Sequence, residues 1–254
     1  IVHFDFMDPP APETMMRALE LLNFMNAIDD NGELTEEGKF IAYTPLDPEL
    51  AKVLISSNIY KCVNDILTIV SMLSVPNIFV RPRQQQSMSD DSKKKFIHQT
   101  GDHLTLLTAY NSYKLNGSSD SYCRLNYLNS KNLKNADNIR NQLKNMLEVN
   151  NISVEDNKHE VEFSDKKVKR IFKALLSGCF AQVCHLQIQG YYSTVKDNQM
   201  VLMHPSSSLS YKPTWVLYHD FVCTGKNYIR TVSKIKPEWL FEVCPKFYNL
   251  SSFE

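Results

Sequence analysis

Near the C-terminus, Thr224, Lys226, Tyr228 and Arg230 occupy alternate positions, and their types suit a grip on a polyanion. Alternate side chains of a strand share a face, so the run predicts a hydroxyl, two cations and a ring on one side of a hairpin. Cations hold phosphates and a ring stacks on a base, and neither task needs a fixed catalytic geometry. Lys196, beside the Asp197-Asn198 turn, is expected to join them. The competing reading places Tyr228 in the core and leaves Lys226 as a turn residue.

Catalytic chemistry finds little support. Cys179, Cys184 and His185 do not have metal-ligand spacing, and His219 with Cys223 lacks two further ligands. No G-x-S-x-G, H-E-x-x-H or Walker-type string occurs, and Gly225-Lys226-Asn227 lacks the earlier glycine and the Ser or Thr of a phosphate loop. The chain by itself is expected to catalyse nothing and to hold neither cofactor nor metal. Its six cysteines include no C-x-x-C pair, which predicts reduced thiols in an intracellular setting. No apolar run approaches the roughly 18 residues of a membrane-spanning helix.

The charge is unevenly distributed. The 254 residues have a formal net charge of zero, yet residues 1–48 carry −8, residues 49–163 carry +2 and residues 164–254 carry +6. A basic end that meets polyanions and an acidic end that meets a basic protein segment would account for this gradient; two solvated faces would do so equally. The chain starts at Ile1 without a methionine and reads as a piece of a longer protein.

Three units are expected to position these residues. In residues 1–60, Met15, Ala18, Leu19, Leu22 and Met25 recur at helical spacing, Asn31-Gly32 marks a small hairpin, Thr35 starts a second helix, and Asp47-Pro48 caps and starts a third. Helix, hairpin, helix, helix is winged-helix-like. Met15, Met16 and Phe24 are expected in its core. Residues 61–163 are helical in pattern, interrupted at 81–95 by a polar long loop and helix start whose Lys93, Lys94 and Lys95 read as a solvated helix face, and ending at 150–162 in a polar linker or ordered surface loop. In residues 164–254 a basic helix capped by Asp165 precedes five strand-like runs, which predict a small five-stranded barrel of oligonucleotide-binding or SH3-like type. The fold class is therefore α+β and multidomain.

Several long strings resemble, in order and spacing, the C-terminal module of DEAH-box RNA helicases: HFDFMDPPAPETMMRALELLNFMNAID, LTEEGKFIAYTPLDPELAK, ILTIVSMLSVPNIFVRP, GDHLTLLTAY and WVLYHDFVCTGKNYIRTVSKIKPEWL. The likeness is greatest to the pre-mRNA-splicing branch that releases the lariat, disassembles the spliceosome and serves ribosome biogenesis. It implies a winged helix, a helical ratchet domain and an oligonucleotide-binding barrel that close over single-stranded RNA. ATP and magnesium would be bound by two RecA-like domains outside this chain, so the parent protein would be the ATP hydrolase. The resemblance places Gly101, Asp102 and His103, at a ratchet helix start, and Thr224, Lys226, Tyr228 and Arg230 against RNA. It implies G-patch proteins as partners at the winged helix, no membrane, and a nuclear location in the nucleoplasm with the nucleolus as a second compartment. Two positions depart from the pattern: Lys131, also expected to contact RNA, stands where relatives carry arginine, keeping the charge but losing the planar fork, and Gly225 replaces a serine. The alternative function is a protein-interaction module that docks G-patch activators without touching RNA.

Overall fold

The structure, a computed structural model, describes residues 4–5, 7–154 and 162–248. The chain begins with α1 (Pro12–Phe24), a short bridge between Ile28 and Leu34, α2 (Glu36–Tyr43) and α3 (Pro48–Ile59). Gly32, at φ 83°, turns the hairpin, and Asp29 Oδ1 accepts the amides of Asn31 and Glu33, each at 2.9 Å. Thr35 caps α2 by accepting from the Gly38 amide at 2.9 Å. Pro48 starts α3, but the Asp47 side chain makes no capping bond. Of the three residues expected in the core here, Phe24 packs edge-on against Phe180 and Phe247, whereas Met15 is half-buried and Met16 is 57% exposed. Leu21, Leu22 and Phe24 at the end of α1 pack against the core, whereas no residue of the helix is fully buried.

The helical middle comprises α4 (Val63–Leu73), a 3-10 turn (Arg83–Gln85), α5 (Gln86–Lys94), α6 (Asp102–Leu115), α7 (Asp120–Leu125) and α8 (Ser130–Val149). The polar stretch expected as a long loop and helix start holds α5 over most of its length. Arg81 fastens that helix through two bonds to Asp90, of 2.8 and 2.7 Å. Arg140 of α8 is buried and donates to Thr68 and Asn64 of α4, which satisfies its guanidinium away from water. Within the expected 150–162 linker, Ile152 and Val154 are buried in the core, and residues 155–161 lie outside the described residues.

The last third begins with α9 (Asp165–Gly178), whose cap is Ser164 rather than Asp165. Among the described residues seven strands follow: β1 (Val183–Leu186), β2 (Tyr192–Thr194), β3 (Met200–Met203), β4 (Trp215–Leu217), β5 (Asp220–Cys223), β6 (Asn227–Arg230) and β7 (Ser233–Lys234). α10 (Pro237–Val243) comes after them. The expected five-stranded barrel is replaced by an open mixed sheet of order β5-β6-β3-β2-β1-β4-β7, in which β3 and β6 run parallel. Five became seven because two runs break. One bends at Tyr218-His219, between β4 and β5; the other bends at Thr231, which adopts φ 54° between β6 and β7.

Packing joins the three regions. One apolar cluster contains Phe40 and Val53 of α2 and α3, Ile66 of α4, Phe172 and Leu175 of α9, Leu217 of β4, and Trp239 of α10. Phe172 stacks on Trp239 with centroids 6.1 Å apart. α3 and α9 approach so closely at Gly178 that an added Cβ would lie 2.0 Å from the Glu49 carbonyl oxygen. Gly178→Ala must push the two helices apart, and is expected to lower the unfolding free energy by about 2 kcal/mol, measured by urea denaturation.

Candidate nucleic-acid interface

The start of α6 is built into the sheet. Gly101 has φ 124°, a conformation side chains rarely adopt, and a Cβ there would meet the Val232 carbonyl oxygen at 2.4 Å. This close approach lets the Asp102 amide donate to the Val232 carbonyl at 2.9 Å. The Asp102 carboxylate accepts the amides of Ser208 and Val232, each at 2.7 Å. The His103 amide donates to Ser233 Oγ at 3.2 Å, and His103 Nδ1 lies 2.8 Å from the same oxygen. The side chains of Asp102 and His103 are buried. The amides expected to greet a phosphate from this helix end are therefore spent, at Asp102 and His103, on the segment around β7. Burial drives the His103 imidazole down to about 3, so it stays neutral.

Above this joint is a cleft of about 270 Å³ between helices and sheet. One wall is the loop after α4, with Asn77 and Phe79, and the other is Asp220, Arg230 and Thr231; Lys93, Thr105 and Ser206 also line it. The α4–α5 loop is held from behind: Asn132 Nδ2 donates to the carbonyls of Pro76 and Asn77, at 3.1 and 3.0 Å.

Lys93 bridges the walls. Its Nζ donates to the Ser206 carbonyl at 2.7 Å and sits 5.0 Å from the Phe79 ring centroid. Burial lowers its pKa, while the nearby carboxylates of Asp102 and Asp90 act the other way. Of the three lysines expected on a solvated face, Lys94 pairs with Asp91 and Lys95 reaches Asn126, but Lys93 turns into the cleft. Local pattern carries no signal that separates it from its neighbours; only the fold does.

The alternating run behaves as expected in part. Ile229 is fully buried, so Tyr228 and Arg230 lie on the opposite face of β6, half-buried and exposed respectively. Register pairs Tyr228 with Val222 and Arg230 with Asp220. Continuing that alternation, Thr224 and Lys226 flank the exposed turn at Gly225, with the Thr224 amide donating to the Lys226 carbonyl at 3.1 Å. Tyr228 meets the His204 ring edge-on at 5.6 Å. At roughly 3.4 Å per residue, Lys226, Tyr228 and Arg230 form a track of about 14 Å from hairpin tip to cleft. Arg230 Nη2 pairs with Asp220 at 2.9 Å on an exposed surface. Such pairs are worth at most about 1 kcal/mol, so a phosphate can replace the carboxylate at little cost.

Two expected members lie elsewhere. Lys196 lines a different cleft, with Leu21, Glu49 and Phe221. Phe221 points away from Asp220 and Val222 along β5, so that cleft opens on the other side of the ribbon. Lys131 is exposed on the first turn of α8 and is absent from the lining of the main cleft, although its helix holds the loop that forms one wall. Among the described residues no three His, Cys, Asp or Glu side chains are placed to hold a metal ion, and no helix is long and apolar enough to cross a membrane.

Family models match along the chain in three consecutive places. A winged-helix model of the helicase-associated domain covers residues 18–46, and a ratchet-like model of the same domain covers 47–106. An oligonucleotide/oligosaccharide-binding-fold model covers 171–248. A winged-helix, a ratchet-like and an oligonucleotide-binding match in this order are typical of the C-terminal regions of DEAH/RHA helicases. Modules of this type typically bind RNA and RecA-like domains. The cleft described above lies where the ratchet and oligonucleotide-binding matches face each other, with Phe79, Lys93 and Asp102 from the first and Asp220 and Arg230 from the second.

A neutral His103 makes the joint sensitive to acid. Its folded pKa is depressed, so below about 6.5 the unfolded chain takes up a proton that the native state refuses, and stability falls until the pH nears the folded value. This one group is expected to cost about 2 kcal/mol of stability at pH 5 relative to pH 7. In denaturant titrations between those pH values, His103→Gln should flatten the dependence whatever its absolute stability.

Proposed function

We propose that this chain is the C-terminal RNA-binding and regulatory module of an ATP-dependent RNA helicase acting in pre-mRNA splicing, at spliceosome disassembly. The observation that carries this reading is the cleft between the α4–α5 loop and β6, reached by the Lys226–Tyr228–Arg230 track and spanned by Lys93. Cations on one face with Tyr228 between them suit a single strand whose phosphates follow the track and whose base meets the ring. The module supplies grip; RecA-like domains beyond this chain would bind ATP and magnesium and supply movement. The work would take place in the nucleus, in nucleoplasm and nucleolus.

A second reading has its own support. Residues 1–48 carry a net charge of −8, and Met7, Met16 and Tyr43 in that region are 107, 57 and 83% exposed. An acidic surface with uncovered apolar side chains suits a basic partner segment such as a G-patch, with the sheet as scaffold.

Fluorescence anisotropy with labelled oligo-uridine separates the two. RNA binding is expected to weaken with salt by about 0.7 log unit per log salt for each phosphate contacted. Lys226→Glu/Arg230→Glu should weaken it further and reduce that slope by about 1.4 if both contacts are lost. Indifference to salt and to both substitutions, together with capture of a G-patch peptide, would leave the protein-docking reading in its place.

A further inference from the structure

On the far side of α9 from the RNA cleft, we infer a docking site for an acidic amphipathic helix of a partner protein, formed by the cationic face of α9 and the C-terminal end of α3. The site is a shallow groove of about 360 Å³. Its floor is Ile59, which is 69% exposed, and Tyr60. Its rim is Lys61, Lys166, Lys169, Arg170 and Lys173. The buried stripe of α9, Val168, Ile171, Phe172 and Leu175, faces the opposite way. Phe172 of that stripe contacts His103 at 6.4 Å between rings, so the body of α9 stands between groove and cleft.

Helix stability does not account for these cations. Lys166 and Lys167 occupy the first turn, where the helix dipole disfavours positive charge, and Lys166, Lys169, Arg170 and Lys173 fall three or four residues apart, where like charges repel. Lys61, in the left-handed conformation just past the end of α3, is by contrast well placed by the dipole. Among the described residues Lys61, Lys166 and Arg170 make no ion pair, whereas Lys173 is paired with Glu242, which also lies 3.9 Å from Lys169. The groove thus already accepts one carboxylate of its own chain at one end and leaves the remaining cations open.

The floor determines the occupant. A nucleic acid would meet cations here but no ring free to stack, since Tyr60 packs against the core. An acidic helix offers both halves of the match: an apolar anchor on Ile59 and carboxylates to the rim. This inference is independent of the RNA reading, because it uses none of the cleft residues.

The test is anisotropy with a fluorescein-labelled helical peptide of Glu, Ala and Leu whose leucines lie on one face, against a scrambled isomer and labelled oligo-uridine. The peptide is expected to bind more tightly than its isomer and to weaken with salt. About tenfold should be lost in Lys166→Glu/Arg170→Glu and in Ile59→Asp, and nothing in Lys226→Glu/Arg230→Glu. Matching thermal melts establish that the variants fold, and Lys166→Gln/Arg170→Gln serves if the reversal does not. Equal binding of peptide and isomer, or peptide binding untouched by the groove variants, overturns the inference. So does loss of oligo-uridine binding on groove substitution in place of peptide binding, which would make the groove a nucleic-acid surface.

Discussion

The bond on which this arrangement depends is the double acceptance by the Asp102 carboxylate of the Ser208 and Val232 amides. Hydrogen bonds to a charged group contribute about 1.5–3 kcal/mol each, and here both donors come from segments more than a hundred residues away in sequence. The carboxylate sets the distance between α6 and the end of β6, and so the width of the cleft above. Gly101 permits the approach, because any Cβ would strike the backbone at 232–233. His103 and Ser233 close the joint on the buried side, and Lys93 crosses it on the open side.

A cleft built this way has walls that move together. Arg230 belongs to the strand that continues, through the bend at Thr231, into the segment held by Asp102. Phe79 belongs to the loop held by Asn132. Neither wall rests on a linker, so a strand of RNA in the cleft would meet a preformed surface in which little side-chain ordering remains to be done. Motion along the strand would then have to come from outside the module.

Much of the helical architecture was legible because it is local. Of the helical stripe expected in α4, Ile66, Ile69 and Val70 are fully buried and Leu73 half-buried, and Val168, Ile171 and Leu175 of the α9 stripe are buried. The face shared by Tyr228 and Arg230 was legible for the same reason, since Ile229 between them could only point inward. Features set by distant partners were not legible. Nothing near Lys93 distinguishes it from Lys94; its role comes from Ser206, more than a hundred residues on. Asp102 and His103 looked like a helix start open to a ligand, and only the fold shows that β7 has consumed it. The strand count went astray where Thr231 takes a left-handed turn that its residue type does not advertise. Met16 looked like core because a helical stripe does not reveal whether its cover lies in the same chain.

The apolar cluster shared by α3, α4, α9, β4 and α10 bears on how the chain comes apart. A segment trimmed to the oligonucleotide-binding match would keep Leu175 and Trp239 but lose Val53, Leu54 and Ile66, which cover them from outside its borders. The borders of the family-model matches are therefore not seams of cooperativity. Heated or denatured, winged helix and sheet belong to one melting unit, and an excised sheet would present to water the surface that its neighbours had kept dry.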